Sequence, residues 1–513
     1  MAAVQIPALS LVVLVGASSS GKSSFARRHF LPTEIVTSDF CRGLVADDEN
    51  DLSATADAFA VLHFIASKRL ERGRLTVVDA TSLKPEDRKP LVTLARQHHV
   101  VPVAIVFNLP EPLLRERHVG RTDRDFPPHV IRRQVDQLRR SLGSLQREGF
   151  RNVCIFRSQD EVDAATIERT RLWTDRRDEH GPFDLIGDVH GCRAELEALL
   201  VQLGYVAGED GVPRHPAGRK AVLLGDLVDR GPDTPGVLRL AMRMERADAA
   251  LCVPGNHDDK LKRALVGRKV QITHGLGESL AQLALEPAEF RAEVEKWIDG
   301  LISHFVLDDG RLVVAHAGMK QAMQGRASRA VRAFALYGET TGETDEYGLP
   351  VRYPWASEYR GPAIVVYGHT PTPEPEWLNG TICIDTGCVF GGRLTALRYP
   401  ERELVSVPAA RTYYEPSRPF PLPGPPPMRW GRENETTAPR SGSDNETTPS
   451  LPHRDGGEME SSRCHSPNAV QLSRSPSPNA LGEGRGGGTA ATARNRSAPR
   501  ARKPAHAPGS AAP

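Results

Sequence analysis

The sequence predicts an α/β protein in two parts followed by a disordered tail, and three observations carry that prediction. Short apolar runs alternate with helix-compatible stretches from the N-terminus to about residue 410. The first run leads into a glycine-bounded loop of the phosphate-binding type, and six later runs each stop at an Asp, Asn or His. From Glu415 onward Pro, Gly, Ser and Arg dominate, and large apolar residues are too sparse to offset chain entropy.

In chain order, residues 9–15 read as a strand and run into Gly16-Ala17-Ser18-Ser19-Ser20-Gly21-Lys22-Ser23, which fits G-x-x-x-x-G-K-S in a strand–loop–helix context. Gly16 and Gly21 let backbone amides turn onto a polyphosphate, Lys22 can meet its terminal oxygens, and the Ser23 hydroxyl can bind Mg2+. Alternation continues with strands at 35–37, 75–78 and 101–107 and helices at 55–70 and 86–98. Phe59, Leu62, Ala66 and Leu70 share one helical face, and Gly73 is a stop signal. Residues 1–160 are therefore expected to form a parallel sheet with helices on both faces. Asp39 lies just past the second strand, where a carboxylate facing the loop could take a proton from a substrate hydroxyl. Asp79 ends the next strand and suits either Mg2+ binding through water or a structural cap. Residues 115–128 carry Arg115, Arg117, Arg121 and Arg124 among Gly and Pro, as expected of a mobile lid over a transferring phosphoryl group.

Residues 161–182 are polar, end at Gly181-Pro182 and read as a linker. Beyond them, 183–410 form the second α/β domain. Asp188 and His190 follow the run 183–186, and on an extended backbone two residues apart their side chains point to one side. Asp226, Asn256, His316, His369 and Asp385 follow later runs in the same way. A helical insert at 264–300 would wall the site, and its His274 reads as structural. The aromatic segment 320–360 suits base stacking and ordinary packing equally.

The ordered set Asp188, His190, Asp226, Asn256, His316 and His369 resembles the binuclear metallophosphoesterase superfamily, in its branch of protein phosphatases and dinucleotide polyphosphate hydrolases. That resemblance implies an α/β metallophosphoesterase sandwich holding two divalent transition metals, with Mn2+ or Ni2+ the leading pair. Asp188 and His190 would hold one metal, Asp226 would bridge, and Asn256, His316 and His369 would hold the second. His257, held by Asp258 or another carboxylate, would be the catalytic acid, Arg230 would bind phosphate oxygens, and Asp385 would lie nearby. A P-loop NTPase domain fused upstream, with Asp39-Phe40-Cys41-Arg42 and an arginine lid, resembles the bacterial polynucleotide kinase-phosphatase of RNA end repair. By that resemblance ATP or another NTP binds with Mg2+, and Asp39 is the base for a 5′-hydroxyl. Arg42 would hold the acceptor phosphate, while Arg117 and Arg121 would clamp the donor, with Arg115 and Arg124 as substitutes. Longer members continue into a nucleotidyltransferase module that needs a lysine nucleophile. After position 401 the only lysine here is Lys503, without an apolar framework.

Lys+Arg 66 against Asp+Glu 64 gives a net charge of +2, so any nucleic-acid contact must be a local patch. Seven Cys without C-x-x-C spacing suit a reduced, cytoplasmic protein, and the apolar run 9–15 is too short to span a bilayer. The expectation is a bifunctional end-healing enzyme acting on RNA or DNA ends, a 5′-hydroxyl kinase with a 2′,3′-cyclic or 3′ phosphatase. It would work beside a separate ligase or RNA-modifying partner, without a membrane, and with its oligomeric state open. Two alternatives stand: a serine/threonine-type or dinucleotide polyphosphate phosphatase regulated by a nucleotide-sensing P-loop domain, and a nucleic-acid-binding scaffold.

Overall fold

The computed structural model describes residues 3–119, 127 and 129–416. Its first sheet has five parallel strands in the order Ile35–Thr37, Thr76–Asp79, Ser10–Gly16, Val101–Phe107, Asn152–Phe156. The central strand Ser10–Gly16 is buried along its whole length, as a strand covered on both faces must be. Leu11, Val13 and Val15 pack with Leu62, Leu70 and Leu91 on one side. Val12 and Leu14 pack with Phe25, Leu114 and Ile131 on the other.

The second domain is a sandwich of two sheets. One orders Ala250–Cys252, Lys220–Leu223, Phe183–Ile186, Arg393–Tyr399 and Glu403–Pro408, the last two strands being antiparallel additions beside the parallel set. The other orders Trp377–Leu378, Thr381–Cys383, Ile364–Tyr367, Leu312–Ala315, His304–Leu307 and Asp175–Arg176. Leu185, Val222 and Leu251 of the first sheet meet Phe305, Val314 and Ile382 of the second in a dry seam. Helices Arg193–Leu203 and Thr234–Arg246 cover the outer face of the first sheet, and helix Arg329–Tyr337 that of the second.

Several local expectations change. The stretch 161–182 is built into both neighbours: Ile167–Thr170 pairs with Val4–Pro7, and Asp175–Arg176 joins the edge of the second sandwich sheet. Buried Val162, Ala165 and Leu172 supply apolar anchors that its polar composition hides. Arg115 and Arg117 lie on the helix Glu111–Val119 rather than in a loop. Asp39 is in the first turn of the helix Ser38–Ala46, which Thr37 caps through its side chain. In the segment 320–360, Trp355 and Tyr359 are core residues, whereas Tyr337 and Tyr347 are exposed. Arg121 and Arg124, and the tail from 417 on, lie outside the described residues. Among the described residues no helix is long and apolar enough to cross a membrane.

The two domains meet at a buried arginine. Arg326 donates to the carbonyls of Leu70 and Glu71, at the end of helix Thr55–Glu71, and to that of His98, the C-cap of helix Pro85–Gln97. The Ser328 hydroxyl and His99 Nδ1 are 3.1 Å apart beside it.

Candidate functional site

Six strands of the sandwich stop one to four residues before the predicted metal-site residues. Phe183–Ile186 precedes Asp188, Lys220–Leu223 precedes Asp226, and Ala250–Cys252 precedes Asn256. Leu312–Ala315, Ile364–Tyr367 and Thr381–Cys383 precede His316, His369 and Asp385. All of these residues therefore reach one end of the seam between the sheets. The backbone there is not extended as expected for Asp188 and His190. His190, Asp226, Asp229, Arg230 and His369 have φ of 45°, 47°, 74°, 71° and 74°, a left-handed conformation that L side chains hold only where surrounding structure forces it. Tight turns, not strand alternation, bring the side chains together. The approach leaves no room for side chains at the intervening glycines: a Cβ on Gly368 would lie 1.9 Å from Asp188 Oδ1, and one on Gly255 2.0 Å from Asp226 Oδ1.

Two groups of donors form, all buried except the half-buried His369. His190, Asp226 and His257 offer atoms within 4.8 Å of one another, as do Asp226, His316 and His369, so Asp226 belongs to both. Asp188 is in neither triplet and instead accepts the His369 backbone N–H at 3.1 Å. His190 Nδ1 donates to the Val228 carbonyl at 2.8 Å and His316 Nδ1 to the Leu224 carbonyl at 2.9 Å. Each bond fixes the tautomer and leaves Nε2 as a lone pair facing inward. His316 Nε2 then faces Asn256 Oδ1 at 3.1 Å, His369 Nδ1 at 3.0 Å and Asp226 Oδ2 at 3.4 Å. Acceptors converging in this way repel one another unless a cation or a proton sits among them. His369 Nε2 is buried without a partner. Mixed O and N donors, pre-oriented and crowded, fit divalent metals.

The electrostatics point the same way. Burial raises the Asp188 carboxyl well above the usual range, with the charges of Asp385 and Asp226 adding to it. Asp385 is pushed up to about 6 and Asp258 to about 7, each by burial first and then by Asp226. Burial would lower His316, but the charges of Asp226 and Asp188 outweigh it and push it up to about 9. A crowd of buried carboxylates is what a dication would relieve.

Beside these groups, His257 Nδ1 bonds Asp229 Oδ2 at 2.6 Å, so the carboxylate that orients it is Asp229. Asp258 accepts instead from the backbone N–H groups of Gly255 and Leu227. The Arg230 guanidinium spans His190 Nε2 at 2.7 Å and His257 Nε2 at 3.0 Å, a side-chain cation where two imidazole lone pairs converge. Sequence reasoning missed Asp229 as the partner of His257. It also missed Arg352, which the hairpin Thr340–Thr344/Pro350–Arg352 brings close enough for its charge to act on Asp226 and His369. Arg352 is one of several basic residues in the segment 320–360, and nothing in the sequence set it apart from the others.

In the first domain Lys22, Ser23, Asp39, Arg42, Asp79 and Arg117 line one cleft of about 1330 Å3. Gly21 caps the following helix at φ 85°. A Cβ on Gly16 would come within 2.9 Å of Ser20 Oγ. Lys22 Nζ donates to the carbonyls of Gly16 and Ala17, both at 2.9 Å. Gln134 Oε1 accepts from the Ser18 amide at 2.8 Å, a position a phosphate oxygen would take. Arg117 Nη1 reaches over the loop, 3.7 Å from where a Gly21 Cβ would be, and its Nη2 bonds Gln159. Arg42 is buried, paired with Asp39 at 3.0 Å and bonded to the Glu49 carbonyl, so it orients Asp39 here rather than standing free for an acceptor.

Residues 181–396 match the family model of calcineurin-like phosphoesterases, and residues 11–145 match that of an AAA domain. A bis(5′-nucleosyl)-tetraphosphatase PrpE of Anoxybacillus flavithermus is 49% identical over 243 residues, 46% of this chain and 99% of that protein. The chain belongs to the calcineurin-like phosphoesterase family. The same-named protein of Geobacillus thermodenitrificans is 49% identical over 232 residues, 44% of this chain and 94% of its own length. A crystal structure assigned as a diadenosine tetraphosphatase is 31% identical, covering 46% of this chain and 97% of that one, with a TM-score of 0.35. This calcineurin-like phosphoesterase is thus a hydrolase domain fused behind a P-loop, kinase-like domain. Calcineurin-like phosphoesterases use divalent metals, and the two donor groups are where this one offers them.

Proposed function

We propose that the phosphoesterase domain hydrolyses a phosphate linkage carried by nucleotides, in the first place the P–O–P bridge of a dinucleoside polyphosphate, while the P-loop cleft binds an NTP. The observation that carries this reading is the pair of donor groups sharing Asp226, set in a domain that matches nearly the whole length of relatives named bis(5′-nucleosyl)-tetraphosphatase. Asp188 and His190 would hold one metal, Asp226 both, and Asn256, His316 and His369 the second. When bound, the metals supply a water ionised near neutral pH and charge to stabilise the reacting phosphoryl group. His190 and His316 keep their Nε2 lone pairs directed inward through their bonds to Val228 and Leu224. Arg230, and Arg352 from the hairpin, would bind phosphate oxygens. His257, its Nδ1 proton held by Asp229, presents Nε2 to the site; as the doubly protonated ring it would give the Nε2 proton to the departing oxygen and be left as the neutral Nδ1–H tautomer. Asp385, buried beside them, would tune the charge.

A second reading, polynucleotide end healing, is favoured by the P-loop cleft. Its volume exceeds the range typical of small-ligand pockets, roughly 300–1,000 Å3, which leaves space for an acceptor beside a nucleotide. Asp39, lining the same cleft as Lys22, would take the proton of a 5′-hydroxyl, and RNA or DNA ends would be the partners. The full-length chain, loaded with Mn2+ or Ni2+, is to be given diadenosine tetraphosphate, an oligonucleotide with a 2′,3′-cyclic phosphate, and a 5′-hydroxyl oligonucleotide with labelled ATP and Mg2+. Hydrolysis of the first without label transfer supports the first reading. Label transfer lost in Lys22→Ala and Asp39→Ala, with removal of the cyclic phosphate, moves the assignment to end healing. Inactivity on all three substrates with metal bound refutes both.

A further inference from the structure

Arg230 is held in an unusual way for a buried-edge arginine. Among the described residues no carboxylate lies within ion-pair distance of it, its Nε is buried without a partner, and its two terminal nitrogens rest on imidazole nitrogens. The His190 nitrogen is one a metal would occupy, so the guanidinium must leave it when the centre is loaded. What flanks Arg230 independently of those bonds is aromatic: its guanidinium carbon is 5.2 Å from the Phe390 ring and 5.9 Å from the Tyr414 ring. The two rings are themselves 6.5 Å apart.

Tyr414 arrives there by a dedicated strap. The chain leaves the strand Glu403–Pro408 and, with Ala410, Arg411 and Thr412 exposed, is tied back onto the domain at both ends of that excursion. The Ala409 amide bonds the Gly392 carbonyl, and the Ala410 amide and the Tyr413 hydroxyl both bond Glu195 Oε1, at 3.0 Å and 2.7 Å. The Tyr413 and Tyr414 amides share the Val389 carbonyl, in the turn that carries Phe390. Glu195 is a buried carboxylate on the helix that follows His190, so the strap is tied to the same frame as the donor groups.

A carboxylate partner would occupy the N–H fork of an arginine, whereas a ring face attracts the guanidinium through its plane and leaves all the N–H groups outward. We propose that Tyr414, with Phe390, is a positioning residue that holds Arg230 from one aromatic side and so presents its N–H fork to the phosphate of the substrate. This inference rests on the reading of Arg230 as a phosphate-binding residue.

The test uses the full chain loaded with Mn2+, p-nitrophenyl phosphate as substrate and inorganic phosphate as competitive inhibitor. Tyr414→Leu should raise KM and the phosphate Ki about two- to fivefold, the range of an exposed cation–π contact, with kcat within about twofold and metal content unchanged. Tyr414→Phe should match the wild type. In the Arg230→Ala background Tyr414→Leu should change neither constant further. Equal rises in both backgrounds, or none where Arg230 is intact, overturn the positioning role. If Arg230→Ala alone leaves KM and Ki unchanged, the phosphate-binding reading of Arg230 falls first and the positioning role with it. Tyr413→Phe, which removes the bond to Glu195 without touching Arg230, should give a smaller rise in the same direction, and it decides the matter if Tyr414→Leu does not fold.

Discussion

Replacing Arg326 with methionine keeps volume at the domain junction and removes the charge that caps two helices at once. Arg326 is only 6% exposed, and its guanidinium serves the carbonyls of Leu70, Glu71 and His98, where the negative ends of two helix dipoles point at it. Burial lowers the Arg326 pKa, so part of the gain is spent on desolvation. Hydrogen bonds from a charged donor contribute about 1.5–3 kcal/mol each. Three carbonyls sharing one fork, and regaining water when it is lost, bring the net to about 3 kcal/mol, on the order of a hundredfold in the docking equilibrium. The readout is scanning calorimetry of the full chain. The wild type should give one endotherm spanning both domains, and Arg326→Met two, because each domain then unfolds on its own. A single endotherm for the variant with its midpoint unmoved would refute the argument that this arginine couples the domains.

Asp229→Asn should lower phosphatase kcat about 10- to 100-fold with metal content intact, since it leaves the His257 ring without its anionic partner; metal loss measured by atomic emission would contradict this. Gly368→Ala should deplete the metals and abolish hydrolysis while leaving nucleotide binding at the P-loop unchanged, because the new methyl has to displace Asp188; a fully loaded, active variant counts against the close approach. His304 is fully buried, accepts the Gly325 amide on Nε2, and is pushed down to about 3 by burial, against about 6.5 in the unfolded chain. The native state then binds fewer protons than the unfolded state between these values, so its stability is complete above pH 6.5 and falls with pH, by about 1.4 kcal/mol at pH 5.5. In urea titrations at pH 7.5 and 5.5, His304→Gln should lose that share of the difference, and an unchanged pH dependence would disprove it.

The donor set was legible because ligand-type residues stood immediately after apolar runs, and a strand covered on both faces leaves only its tip free for polar side chains. The P-loop was legible for the same reason, as a glycine-bounded turn after a buried strand. What was not legible depended on backbone direction or distance in sequence. Asp229 reaches His257 because Asp229 and Arg230 both turn left-handed, whereas adjacent Asp258 is consumed by capping its own helix. Arg352 reaches the centre through a hairpin that begins more than twenty residues after His316. The stretch 161–182 looked like a linker because its pairing partner, Val4–Pro7, lies at the opposite end of the domain.

The antiparallel strand Arg393–Tyr399 lies against Phe183–Ile186, the first strand of its sheet in chain order, and that pairing orders events during synthesis. The P-loop sheet has its last strand once residue 156 has left the ribosome, but the phosphoesterase sheet stays open on one side until residue 399 does. At about 5–20 residues per second the interval is on the order of 10 to 50 s. During it the edge of Phe183–Ile186 is exposed to other nascent chains, next to a domain that has already folded. Chaperone demand for this protein should therefore concentrate in the second half of translation, and a pause placed just before codon 393 should lengthen the vulnerable window more than one placed anywhere in the first domain.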